Sequence, residues 1–209
     1  MNRYLKYLLL VIVLGLVAYK SVYIKKLSTM IKATGDKFDA VSFSKKLWEE
    51  KLPAKLDSAI ELTEFIKSVQ LNPSDAFSKH SNALGIGNYR YALIKTGGVV
   101  TELGDDDNTL QINSGDSLMI VKLATEFIYG NAIRDASALV DVKDFPNTMD
   151  LNNISEELNK TVRKTVLPSF KDNVKKGDKI NVTGAIEINK EHLRWTGLEI
   201  IPIRLQIVQ

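Results

Sequence analysis

The apolar pattern of this chain changes period once, around Gly85-Ile86-Gly87, and that change limits the available folds more than any other feature. Before it, apolar residues recur at helical spacing. After it they alternate, apart from one long helical stretch ahead of the last two alternating runs. In the first part, Asp39 can cap a helix that contains Val41, Leu47 and Trp48, and Pro53 begins another in which Leu62, Phe65, Ile66 and Val69 form an i, i+3, i+4, i+7 stripe. Asn72-Pro73-Ser74-Asp75 is a fresh start signal, with an amide cap, a proline at the first helical position and an acid in the first turn. A short third helix then ends before Gly85.

In the second part, residues 88–95 and 99–103 alternate on either side of Thr96-Gly97-Gly98, which predicts a hairpin. A turn over residues 104–108, a strand over 109–113, a turn at Ser114-Gly115-Asp116 and a strand from Ser117 to Tyr129 continue the meander. Leu151, Ile154, Leu158, Val162 and Val166 share one helical stripe, with Pro168 marking the end region. Residues 179–188 and 198–208 are two closing strands, the second placed at an edge or irregularity by Pro202. Helices, a meander, one helix and a strand pair give an α+β chain whose second part has the order of an OB-like five-stranded barrel, with the helix plugging one end. An open α+β sheet with helices on one face has the same order.

At 209 residues, 44% of them hydrophobic, the chain is long enough for one real core. It has no cysteine, which removes disulfides, thiolate metal sites and cysteine nucleophiles from consideration. The net charge of +3 is uneven: residues 1–37 hold seven Lys or Arg against Asp36, so residues 38–209 carry 21 basic and 24 acidic side chains. A mildly acidic body argues against nucleic acid as a partner.

The run from Tyr7 to Tyr19 has no charge, and apolar character continues past Lys6 and Lys20 to Ile24. With Leu8, Leu10, Ile12, Leu14 and Leu16 at its centre and tyrosines at its flanks, it predicts a signal-anchor-like transmembrane helix. A cleaved signal peptide is the competing reading, though no A-x-A site is present. The implied organisation is a membrane anchor over residues 1–27, a basic stalk over 28–37, a helical subdomain over 38–84 and the OB-like domain over 85–209.

Catalytic motifs are scarce. The histidines, His80 and His192, lack ligand spacing, and Asp105-Asp106-Asp107 lacks that of a calcium loop, so no metal site and no cofactor are expected. Neither histidine lies near a serine in a nucleophile motif. Gly85-Ile86-Gly87 lacks the third glycine of a dinucleotide loop, and Glu156 and Glu157 point different ways on a helix. Tyr89 and Tyr91 share a strand face, either to stack a ligand or to pack across strands. The polar residues in and after the apolar run at 127–140 are Asn131, Arg134, Asp135, Asp144 and Asn147. They read as a ligand pocket, with arginine meeting an anionic or hydroxylated solute such as a sugar, or as a buried structural clasp.

Several stretches carry a family likeness: residues 38–54, Gly97-Gly98-Val99-Val100, residues 130–159, and the terminal 176–188 and 201–208. The most specific part is Gly130, Ala132 and Arg134-Asp135-Ala136, then Asp144-Phe145 and Asn147. Together these resemble a bacterial family of predicted periplasmic lipoproteins, domain of unknown function 2291. The likeness spans nearly everything after the leader. It departs where Tyr19 stands in place of the lipid-bearing cysteine, and where residues 125–136 lack a proline and an arginine of the family pattern.

The resemblance implies an extracytoplasmic body and an accessory or ligand-sensing role beside sugar importers. The combined expectation is a single-pass inner-membrane protein with a periplasmic body. It would serve sugar transport or envelope assembly without catalysis, with the membrane and importer components as partners. A small-ligand module centred on Arg134 and Asp135 is the alternative, and an unrecognised hydrolase the third reading.

Overall fold

The computed structural model describes residues 38–114 and 117–208, together with residues 3–5, 7, 10 and 14. The chain divides into two units, Met1–Phe38 and Asp39–Gln209. In the first, Leu10 and Leu14 are exposed helical positions, while Leu8, Ile12 and Leu16 lie outside the described residues.

Among the described residues no helix is long and apolar enough to cross a membrane, which overturns the expected single transmembrane helix. The uncharged run between Lys6 and Lys20 is 13 residues, about 20 Å as a helix against a hydrocarbon core of about 30 Å. The expected signal anchor, the single-pass inner-membrane location and the membrane as partner are withdrawn with it. The rest of the expected anchor and the basic stalk lie outside the described residues.

The second unit opens on helix α1 (Ala40–Lys46), whose first turn is closed by Asp39, its carboxylate accepting from the Ser42 amide at 3.1 Å. A π turn (Leu47–Lys51) leads without a break into α2 (Leu52–Asp57). After the two-residue strand β1 (Ile60–Glu61) come α3 (Leu62–Leu71) and α4 (Pro73–His80). The α3 stripe of Leu62, Phe65, Ile66 and Val69 is buried, and Asn72 caps α4 by accepting from the Asp75 amide at 3.2 Å.

Next come β2 (Tyr89–Leu103), β3 (Asp107–Ser114), β4 (Ser117–Ala124), α5 (Ala132–Ser137) and a 3-10 turn (Val142–Asp144). The long helix follows as α6 (Thr148–Thr161), a π turn (Val162–Val166) and α7 (Leu167–Asn173). Strands β5 (Lys179–Asn189) and β6 (Leu198–Val208) end the chain.

The strands form one sheet in the order β1-β2-β3-β4-β6-β5, and β2 also pairs β5, so five strands close into an OB-like barrel and the open-sheet alternative fails. The expected hairpin at Thr96-Gly97-Gly98 does not form. Strand β2 runs straight through it, pairing β5 from Tyr89 to Val99 and β3 from Val99 to Leu103. The glycines serve close approach rather than a turn: a Cβ on Gly98 would lie 2.8 Å from Ile112 Cγ2 and 2.9 Å from the Gln111 carbonyl oxygen.

Strand β4 also ends earlier than predicted, at Ala124, because the Thr125 and Glu126 amides both turn to the Asp106 carbonyl. Pro168 does not end the long helix. The π turn ahead of it, closed by the Leu167 amide to the Val162 carbonyl, opens the winding where a proline ring would strike the preceding turn. Leu47–Pro53 repeats the device, again with five π residues followed by Leu-Pro.

The sequence placed Pro202 at an irregularity, and there the β5–β6 register steps from Thr183↔Arg204 to Gly184↔Pro202, leaving Ile203 bulged. Gly184 lets the strands approach at that step, since a Cβ on it would lie 2.4 Å from the Ile201 carbonyl oxygen. Gly184→Ala is therefore expected to cost about 1–3 kcal/mol, read as a lower urea midpoint with unchanged slope.

Candidate functional site

The apolar run that carries Arg134 and Asp135 folds as a short helix, not a strand. Gly130 takes a left-handed φ of 76°, α5 follows, and Ala138 ends it at φ 52°. Extended backbone would have sent the two side chains to opposite faces. On a helical turn the long arginine side chain folds back, and its Nε donates to Asp135 Oδ1 at 2.7 Å. The residues are 5% and 2% exposed.

Each then reaches a distant segment. Arg134 Nη1 donates to the Leu151 carbonyl on α6 at 3.0 Å, and the Leu84 amide donates to Asp135 Oδ2 at 3.4 Å. Asn82 Nδ2 donates to the Asp135 carbonyl at 2.9 Å. The pair thus ties α5 to the loop after α4 and to the first turns of α6. Tyr91 on β2 lies within the field of both groups; burial first, and then the hydrogen-bonded Glu187 carboxylate, hold its phenol well above the ordinary range.

The other residues singled out from sequence are spread around this pair. The Asn131 carbonyl accepts from the Asp135 amide at 2.9 Å, but its side chain caps nothing. Asp144 is exposed in the 3-10 turn. Asn147 caps α6, accepting from the Asp150 amide at 2.9 Å and donating to its carboxylate at 2.8 Å. Tyr89 is 53% exposed, whereas Tyr91 is half-buried.

Helix α6 and the π turn hold the preceding loop as well. Asn159 Nδ2 donates to the Gly130 carbonyl at 2.9 Å, and Arg163 donates to the Ile128 carbonyl while lying over the Tyr129 ring. Among the described residues, Asn159 Oδ1 is the one buried side-chain polar atom without a partner. No group of three or more His, Asp or Glu that could hold a metal ion occurs among the described residues.

Two of the concavities among the described residues lie against these elements. The smaller, about 150 Å³, lies beside the clasp between Lys55, His80, Ser81, Asn82 and Ala138. The larger is an open groove of about 670 Å³ between the long helix and β6. Val166, Ser169 and Phe170 form one wall and Ile203, Leu205 and Ile207 the other, with Arg204 at its edge. Sequence reasoning missed it. The one local sign was Val166, last of the predicted buried stripe, which the π turn rotates out of line to a half-buried place in the groove.

No curated protein matches the chain. Among solved structures, it is similar to an OB-fold protein (tm0957) from Thermotoga maritima at 26% identity and a TM-score of 0.71, covering 83% of this chain and 100% of that one. Nothing in these comparisons ties the chain to sugar-importer components, and that expected partnership is withdrawn. A family model described as predicted periplasmic lipoprotein matches residues 11–206. With this match over nearly the whole chain and no cysteine to lipidate, the chain belongs to the DUF2291 family of predicted periplasmic lipoproteins.

Proposed function

We propose that Asp39–Gln209 is a non-catalytic binding module, working in the periplasm that the family's description names, with its ligand site in the groove between α7 and β6. The observation that carries this reading is the groove itself. Its volume of about 670 Å³ falls within the roughly 300–1,000 Å³ of small-ligand sites. Its helical wall is shaped by a π turn, a distortion that often accompanies functional sites. The Arg134-Asp135 pair supports a different role, because its polar atoms are turned to Leu84 and Leu151 and it is buried. A clasp accounts for those contacts.

The test fills the groove. Ser169 is exposed on its wall, so Ser169→Trp is expected to change stability by no more than about 0.5 kcal/mol. Periplasmic solutes and peptides that raise the melting temperature of the unaltered protein should lose that effect in the variant. Equal stabilisation of both proteins would place the site elsewhere.

A further inference from the structure

We propose that the occupant of this groove is an extended acidic segment of a partner protein, which adds as a strand to the open half of β6; this rests on the groove being the binding site. Strand β6 pairs β5 along its length, from Lys179↔Val208 to Ile186↔Ile200, but pairs β4 only at Leu198, Glu199 and Ile200. From Ile203 to Val208, the edge away from β5 has no partner strand among the described residues. The bulge at Ile203 and the missing amide hydrogen of Pro202 separate the paired half from the open one.

Such an edge presents backbone donors and acceptors in register for another strand. Proteins commonly blunt open edges with lysine or inward-pointing charge. This edge instead reads Ile203-Arg204-Leu205-Gln206-Ile207-Val208, and its apolar Ile203, Leu205 and Ile207 line the groove opposite Phe170.

Charge selects the sign of the partner. Arg204 is the one charged residue that lines the groove, and residues 162–179, which include its helical wall, hold six basic side chains against two acidic ones, Arg163 and Lys171 being paired with Glu156 and Glu126. Lys164, Lys175 and Lys176 make no ion pair among the described residues. Arg204 bonds Asp57 at 2.8 Å, with both side chains at least half exposed, so an incoming carboxylate can take Asp57's place.

The experiment uses the full chain and three synthetic ten-residue peptides: alternating valine and glutamate, the same with lysine for glutamate, and the acidic one with alternate backbone nitrogens methylated. The acidic peptide is expected to bind and to slow amide exchange within residues 203–208. The lysine and methylated peptides should bind at least about tenfold more weakly. Arg204→Glu should reverse the preference between acidic and basic peptides.

Three results would overturn the proposal. If no peptide binds while another solute still stabilises in a Ser169→Trp-sensitive way, the groove reading survives and the strand partner does not. If the acidic peptide binds but protects residues elsewhere, the strand partner fails, and if Ser169→Trp leaves all stabilisation unchanged the groove reading fails as well. If residues 203–208 become protected with rising protein concentration alone, a second copy is the occupant.

Discussion

Replacing Arg134 with alanine is expected to lower the unfolding free energy by about 3–5 kcal/mol, because it strands a buried carboxylate rather than removing a surface contact. Asp135 would stay 2% exposed and lose the 2.7 Å bond from Nε, keeping for its carboxylate only the Leu84 amide at 3.4 Å. The Leu151 carbonyl would lose its donor at the same time. For a domain of this size that loss is a fall of roughly 6–20 °C in melting temperature.

The double variant Arg134→Met/Asp135→Leu should recover much of it, since two apolar groups in place of a buried pair leave nothing unpaired. Thermal and urea denaturation of the three proteins decide the matter. A loss below about 1 kcal/mol for Arg134→Ala would refute the clasp.

The contrast between that pair and the helix caps explains what the sequence could disclose. Asp39, Asn72 and Asn147 each bond an amide three residues ahead, so the interaction lies inside the window that a residue pattern describes. The stripe of Leu62, Phe65, Ile66 and Val69 is legible for the same reason. Arg134 and Asp135 were legible as a clasp or a pocket, but the segments they fasten were not. Their partners Leu84 and Leu151 lie 51 and 17 residues away and are backbone groups, which no side-chain pattern marks.

Gly97-Gly98 misled for a related reason. Glycine serves turns and close approaches equally, and what chose between them was Ile112 and Gln111 on a neighbouring strand. The groove depends on two tertiary facts, the rotation of Val166 by a π turn and a β6 edge that β4 leaves after Ile200. Val166 was the one local sign of either, so the barrel's strand order was readable while the groove was not.

Phe65→Ala is expected to cost about 3–5 kcal/mol and to unfold the helices and the barrel together. Phe65 is fully buried on α3 and meets Phe77, His80 and Trp195 edge-on, with ring centroids 6.2, 6.4 and 6.3 Å away. Trp195 precedes β6, so the contact joins the first helices to the last loop of the barrel. The apolar cluster is continuous across that join, with Leu62, Phe65 and Ile66 in the same core as Ile94, Val100, Leu123 and Ile186. Helix α3 therefore supplies part of the barrel's own core, and truncating Phe65 opens a cavity that neither side can close alone. Far-UV circular dichroism and tryptophan fluorescence should give coincident urea transitions in both proteins, shifted equally in the variant. Two separated transitions, with the β signal unmoved by Phe65→Ala, would instead mean that residues 38–84 and 85–209 fold as independent domains.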